Sequence, residues 1–224
     1  MTNKESLRYT PGGWYLNNEP VLNLAAYVSN TKVLGPGNRF GIWVQGCNRR
    51  CKGCLAKEWL QHIPNQVVTV TDLTQIILNI PELQGLTISG GEPMLQAAAL
   101  LKLVLAVKEK KDLDIICYTG YTYGELIQSP PSGEVLDFLK TIDVLIDGEY
   151  IETLNNNMGL LGSTNQQVHH FTNRLTDYDF INPPRKVEIH IEDGEIFLVG
   201  VPTKEMNTAF EQSIRNFTKK SNDA

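Results

Sequence analysis

The sequence predicts an α/β protein built on a parallel sheet with helical crossovers, and three observations lead to it. Apolar runs of strand length alternate with helix-periodic segments from residue 39 to residue 147. Chemistry-bearing residues stand at or just after the ends of those strands. A different pattern, two short strands and a helix, follows the Asn182-Pro183-Pro184 break. The alternation fits a sheet that is either open or partly closed into a (β/α) barrel, and in both cases sites gather at the carboxyl ends of the strands.

The first 38 residues are rich in Gly, Pro and Asn and end in Gly35-Pro36-Gly37-Asn38. They read as an irregular lead-in with one short strand at 21–27. A central unit follows over residues 39–182. It opens on a β-prone run at 39–45 that feeds Gly46 and a cysteine loop, and a short helix is predicted at 56–61. Helices at 72–79, 95–110, 123–128 and 134–139 then alternate with strands at 85–89, 114–118 and 144–147. Residues 183–224 read as an appended hairpin and helix. Strands at 186–191 and 195–201 flank a turn at Glu192-Asp193-Gly194, and a helix covers 204–217.

With 224 residues, 42% of them hydrophobic and 20% charged, the chain can bury a sizeable core. The net charge of −5 supplies no positive field for a nucleic-acid backbone or an anionic membrane, so neither is an expected partner. The N-terminal stretch lacks the apolar core of a secretory signal, and the apolar stretch at 97–107 is interrupted by Lys102 and too short to span a bilayer. A cytoplasmic protein is the expectation.

Three of the four cysteines fall within eight positions, a poor arrangement for stapling a fold and a good one for binding metal. Cys47, Cys51 and Cys54 supply three thiolates from one loop and leave the fourth corner of a cubane without a protein ligand. Structural zinc, which closes four ligands, is the weaker alternative, because the remaining thiol, Cys117, lies inside a predicted strand and reads as a core residue. Arg49, Arg50 and Lys52 interleave with the cysteines and are expected either to lower the thiolate pKa values or to form an ordinary solvated basic loop.

The Cys-x3-Cys-x2-Cys spacing, with Gly90-Gly91-Glu92-Pro93 after a later strand, resembles the radical S-adenosylmethionine superfamily. The resemblance implies a partial (β/α) barrel of the radical SAM type and a [4Fe-4S] cluster on Cys47, Cys51 and Cys54, which would carry the catalysis. S-adenosyl-L-methionine would be bound through its amino group by Gly90, Gly91, Glu92 and Pro93. Gly35-Pro36-Gly37, Thr119-Gly120-Tyr121, Asp147-Gly148 and Gly162-Ser163-x-Asn165-Gln166 are similar to the small glycyl-radical activating enzymes. By that similarity Thr119 and Asp147 lie near the S-adenosylmethionine carboxylate or ribose, and Asn165 and Gln166 near the nucleoside. His169 and His170 receive no role.

The long lead-in and the roughly fifty residues beyond Gln166 depart from the small activases. The second strand of the extension could pair an extended peptide by β-augmentation, or else cap a barrel edge. The reading placed first is therefore a radical enzyme that modifies a ribosomal precursor peptide, of the kind that excises tyramine. An activase that installs a glycyl radical on an anaerobic ribonucleotide reductase-type partner is the alternative. The resemblance further implies an electron donor such as flavodoxin and a small accessory protein. A non-catalytic iron-sulfur or zinc module is the remaining reading, opposed by the convergence of strand ends.

Overall fold

The computed structural model describes residues 6–192 and 195–222, with the side chains of 192, 195 and 216–222 left aside. Its centre is a parallel run of four strands: β4 (Arg39–Val44), β6 (Gly85–Gly90), β7 (Asp114–Tyr118) and β8 (Val144–Asp147). Antiparallel strands flank this run, β3 (Glu19–Thr31) beside β4 and β9 (Gln167–His170) beside β8. Beyond β3 lie β1 (Leu7–Thr10) and β2 (Gly13–Leu16), while β5 (Gln66–Thr69) pairs with β3, making a nine-stranded mixed sheet curled like half a barrel.

Pleat alternation divides the side chains between the two faces of the sheet. Phe40, Ile42, Val44, Leu86, Ile88, Ile115, Cys117 and Leu145 join the main core, where they meet the helices α1 (Val70–Leu78), α2 (Ala97–Lys108) and α4 (Val135–Leu139). Each fully buried Leu or Ile there contributes about 1.5–3 kcal/mol. The intervening residues on β7 and β8, Ile116, Val144 and Ile146, form a second cluster with Leu160, Leu161, Leu175 and Phe180. Among the described residues no helix is long and apolar enough to cross a membrane.

The alternation of strand and helix agrees with the sequence-based expectation, with four differences. Residues read as an irregular lead-in with one short strand at 21–27 hold β1, β2 and the thirteen-residue β3, which contains that strand, extends it at both ends and belongs to the sheet. Pro20 and Asn30 hide the ends of this strand, while Leu22, Leu24, Ala26 and Val28 carry the apolar surface that packs it. The helix expected at 56–61 is only a 3-10 turn, Lys57–Trp59. Pro93 turns the start of the 95–110 helix into a 3-10 segment, Pro93–Gln96, before α2 begins. The strands β5 and β9 were not anticipated as sheet members.

At the amino ends of the parallel strands, Arg39 is wholly buried and pairs with Asp114 at 2.6 Å. Its guanidinium also donates to Thr87 Oγ1 at 2.7 Å and to the Leu86 carbonyl at 2.7 Å. Three strands are thus tied at the end away from the cysteines.

After this sheet the chain forms β10 (Val187–Glu192), β11 (Glu195–Gly200) and α5 (Lys204–Asn222), the helix running past the 204–217 read from sequence. The turn assigned to Glu192-Asp193-Gly194 falls on Asp193 and Gly194, which lie outside the described residues.

Candidate metal and cofactor site

The cysteine loop begins where β4 ends. Gly46 and Cys47 donate their N–H groups to the carbonyls of Trp59 and Leu60, at 2.8 and 3.1 Å, closing the loop at its base. The next strand end presses against it. Gly91 N donates to the Val44 carbonyl at 2.7 Å, and Glu92 N to the Gly46 carbonyl at 2.9 Å. This contact explains both glycines. Gly90 has φ +112, and a Cβ there would run into the Val44 backbone; a Cβ on Gly91 would collide with the backbone of Gly46.

Glu92, 1% exposed, links two strand ends. Its Oε1 accepts from Met94 N at 3.0 Å and from Thr119 Oγ1 at 2.8 Å, and its Oε2 accepts from Gly120 N at 2.8 Å. Burial pushes its pKa up, while these bonds and the nearby Arg49 pull it down.

Arg49 extends from the cysteine loop to the end of β7. Its guanidinium stands 4.1 Å from the centre of the Tyr121 ring and 2.9 Å from Glu125, in α3 (Tyr123–Gln128). Asn48 donates to the Tyr121 hydroxyl at 2.5 Å. Arg50 donates to the Cys47 carbonyl at 2.6 Å. These two cations are therefore engaged with a ring, a carboxylate and a carbonyl. Burial dominates at Cys47 and Cys51, pushing the first up to about 12 and the second upward, opposite to the lowering that neighbouring cations would give.

Cys47, Cys51 and Cys54 are free thiols, and all three line one cavity of about 430 Å³ with Gly90, Gly91, Glu92, Pro93, Thr119 and Gln166. Among the described residues no three His, Cys, Asp or Glu side chains are already gathered around one metal position. The donor chemistry nevertheless fits an iron-sulfur cluster, since soft thiolates from one loop suit it and no fourth thiol is within reach. Cys117 is fully buried in the core behind the sheet, with its helix-facing neighbours. Glu92 already accepts three hydrogen bonds.

The other expected site residues divide. Asp147 is buried but not on the cavity wall. Its carboxylate accepts from the N–H groups of Tyr123 and Gln167 and lies 2.9 Å from His169. Asn165 donates to the Glu149 carbonyl at 2.8 Å and is likewise off the wall. Gln166 borders the cavity, yet its amide bridges the Gly148 carbonyl, at 2.8 Å, and the Gly162 N–H, at 2.7 Å. Two contributions escaped the sequence reading. The Arg49–Tyr121–Glu125 link has no signal in spacing, and the residues from Ile196 to Pro202, with Asn207 and Phe210, were not expected to line the cavity.

The profile of the family described as "4Fe-4S single cluster domain" matches residues 33–169. Among curated proteins, the anaerobic ribonucleoside-triphosphate reductase-activating protein of Vibrio cholerae is 35% identical over 164 residues, covering 67% of this chain and 99% of its own length. The proteins of the same name from Escherichia coli K12 and Enterobacteria phage T4 are 33% and 30% identical, covering 66% of this chain in each case and 99% and 93% of their own lengths. These relatives favour the activase, placed second from sequence, over a precursor-peptide excisase. An iron-sulfur domain and shared identity along nearly the whole length of such relatives place this chain in the family of anaerobic ribonucleoside-triphosphate reductase-activating proteins.

Proposed function

We propose that the protein is a radical S-adenosylmethionine enzyme that activates an anaerobic ribonucleotide reductase by generating a glycyl radical on it. The observation that supports this most is the meeting, at the carboxyl ends of β4, β6 and β7, of three thiols, a double-glycine turn and Thr119 on one cavity. Cys47, Cys51 and Cys54 would hold the [4Fe-4S] cluster. When bound, the cluster supplies the electron that splits S-adenosylmethionine into methionine and a 5′-deoxyadenosyl radical, which takes a hydrogen atom from the protein substrate.

The chain's own residues bind and orient. Gly90, Gly91 and Pro93 expose backbone beside the thiols for the methionine end of the cofactor. Glu92 fixes Thr119 and Gly120 against that turn through its three hydrogen bonds. Gln166 borders the cavity for the nucleoside, whereas Asp147 and Asn165 position the loops behind it. Arg49 pins the cysteine loop to the end of β7.

A second reading, modification of another polypeptide such as a ribosomal precursor peptide, draws on one observation. Part of the cavity wall, residues 196–202, lies outside the stretch matched by the family profile.

Anaerobic reconstitution with iron and sulfide, followed by reductant and S-adenosylmethionine, tests the chemistry. Wild type and Cys117→Ala are expected to form 5′-deoxyadenosine, and Cys51→Ala to form none. Adding the anaerobic reductase should produce a glycyl radical signal in electron paramagnetic resonance. An intact cluster in wild type without 5′-deoxyadenosine overturns the proposal.

A further inference from the structure

We propose that the free edge of β11 receives an extended segment of the polypeptide substrate as an added strand and leads it to the cysteine loop. The inference rests on the reading that the substrate is a polypeptide. It adds where and how that polypeptide binds.

The first argument is geometric. Side chains on a strand alternate between faces, so a cavity lying against one face meets every second residue. Here every residue from Ile196 through Pro202 lines the cavity, and none of Val187–Glu192 does. The cavity therefore runs along the edge of β11 that faces away from β10. Antiparallel pairing with β10 uses the opposite edge, in register from Val187↔Gly200 to Glu192↔Glu195. Among the described residues no other strand pairs with β11.

The second argument concerns chemistry. An unpaired strand edge presents alternating N–H and C=O groups, and natural proteins usually blunt such edges with charge, proline or a covering element. β10 carries Glu188, His190 and Glu192 along its length, whereas β11 has Glu195 at its first position and then runs Ile196-Phe197-Leu198-Val199-Gly200 without a charge. An edge of this kind complements an extended backbone, while Phe197, Leu198 and Phe210 supply apolar contact for its side chains.

The third argument is that the edge is held in place. Val199, 1% exposed, packs with Val28, Val33 and Leu34, and Val201 lies against the second cluster. Arg185 donates to the carbonyls of Leu161, Pro202 and Gly162, at 2.5, 3.2 and 3.3 Å, and so ties the open end of the hairpin to the 161–162 loop. Glu188 accepts from Thr31 Oγ1 at 2.7 Å and from Lys32 N at 3.1 Å, fixing β10 to the end of β3. The same cavity holds the three thiols, so a strand laid along β11 is brought to the reacting end.

The test uses the reconstituted holoenzyme and a displayed library of random dodecapeptides. Enriched peptides are synthesised as such and with N-methyl groups on alternate residues, and binding is measured by calorimetry. Hydrogen exchange reports where they bind. Expected are peptides with alternating apolar residues, a loss of at least about tenfold in affinity when one alternate set is N-methylated and little when the other is, and slowed exchange of alternate amides within residues 196–201. No enrichment, indifference to N-methylation, or protection elsewhere overturns the proposal. Peptide binding needs no turnover, so a holoenzyme that binds peptides but makes no 5′-deoxyadenosine fails the radical reading alone. One that makes 5′-deoxyadenosine but leaves β11 unprotected fails this one alone.

Discussion

The sheet core and the C-terminal hairpin border the same cavity and are held by different means. The core carries the thiols and the double-glycine turn on parallel strands backed by a continuous apolar cluster and the buried Arg39–Asp114 pair. The hairpin is attached by a few side chains: Val199, Val201, Arg185 and Glu188. The first region overlaps the family profile at residues 33–169, and the second lies beyond it. The difference teaches that the wall of a site can be altered without rebuilding the floor, because its attachments are few and local.

Glycine replacements give the sharpest contrast. Gly91→Ala places a methyl group against the Gly46 backbone, which cannot yield without moving Cys47. The expected result is a fall of about a hundredfold in S-adenosylmethionine cleavage, the scale set by misplacing reacting groups by about 1 Å. Gly200→Ala is strained as well, with φ +123 and the Lys186 carbonyl 2.7 Å from the new Cβ. There the disturbance should stay in the hairpin, leaving cleavage in the absence of a polypeptide within about twofold of wild type. Equal losses in both variants would erase the distinction between floor and wall.

The two buried arginines sharpen it further. Arg39→Met leaves Asp114 without its partner, and breaking such a pair costs about 3–5 kcal/mol of global stability, measurable by denaturant unfolding. Arg185→Met removes the donor from three carbonyls, those of Leu161, Gly162 and Pro202, and should cost about 1–3 kcal/mol. Its loss should be concentrated in faster hydrogen exchange of residues 187–200. If Arg185→Met lowered global stability as much as Arg39→Met, the hairpin would be a full member of the cooperative core.

The parts that could be read in the sequence are those dictated by local pattern. The four parallel strands are buried on both sides and appear as short apolar runs, so 39–44, 85–90, 114–118 and 144–147 were legible. The cysteine spacing and Gly90-Gly91 were legible because thiolate donors and backbone contacts need those residue types. The full length of β3 was hidden by the polar residues at its ends, although 21–27 read as a strand, and β9 was hidden because Gln167-Val168-His169-His170 has no apolar period. Side-chain direction was not legible either. Asp147 turns to the N–H of Tyr123 because α3 starts beside it, and nothing in the Asp-Gly dipeptide says so. Nor does sequence show that residues 196–202 border the thiols, since that depends on how a distant hairpin docks.

The smallest expected effect concerns pH and only the hairpin. Glu188 is partly buried, which raises its pKa, but hydrogen bonds from His190, Thr31 and the Lys32 N–H more than offset this and bring it below the ordinary value of 4.5. A carboxyl group lowered on folding contributes stability above its unfolded pKa and loses it as pH falls through the folded one. The docking of β10 on the end of β3 should therefore be constant from neutral pH down to about 4.5 and weaken below it, by about 1 kcal/mol or less. Hydrogen exchange of residues 187–191, corrected for intrinsic pH dependence, reads the change. Glu188→Gln should flatten that dependence while leaving exchange in β6 and β7 untouched. If β6 and β7 loosened along with the hairpin in wild type, and Glu188→Gln abolished both changes, the wall and the floor would be coupled through this one carboxylate rather than independently held.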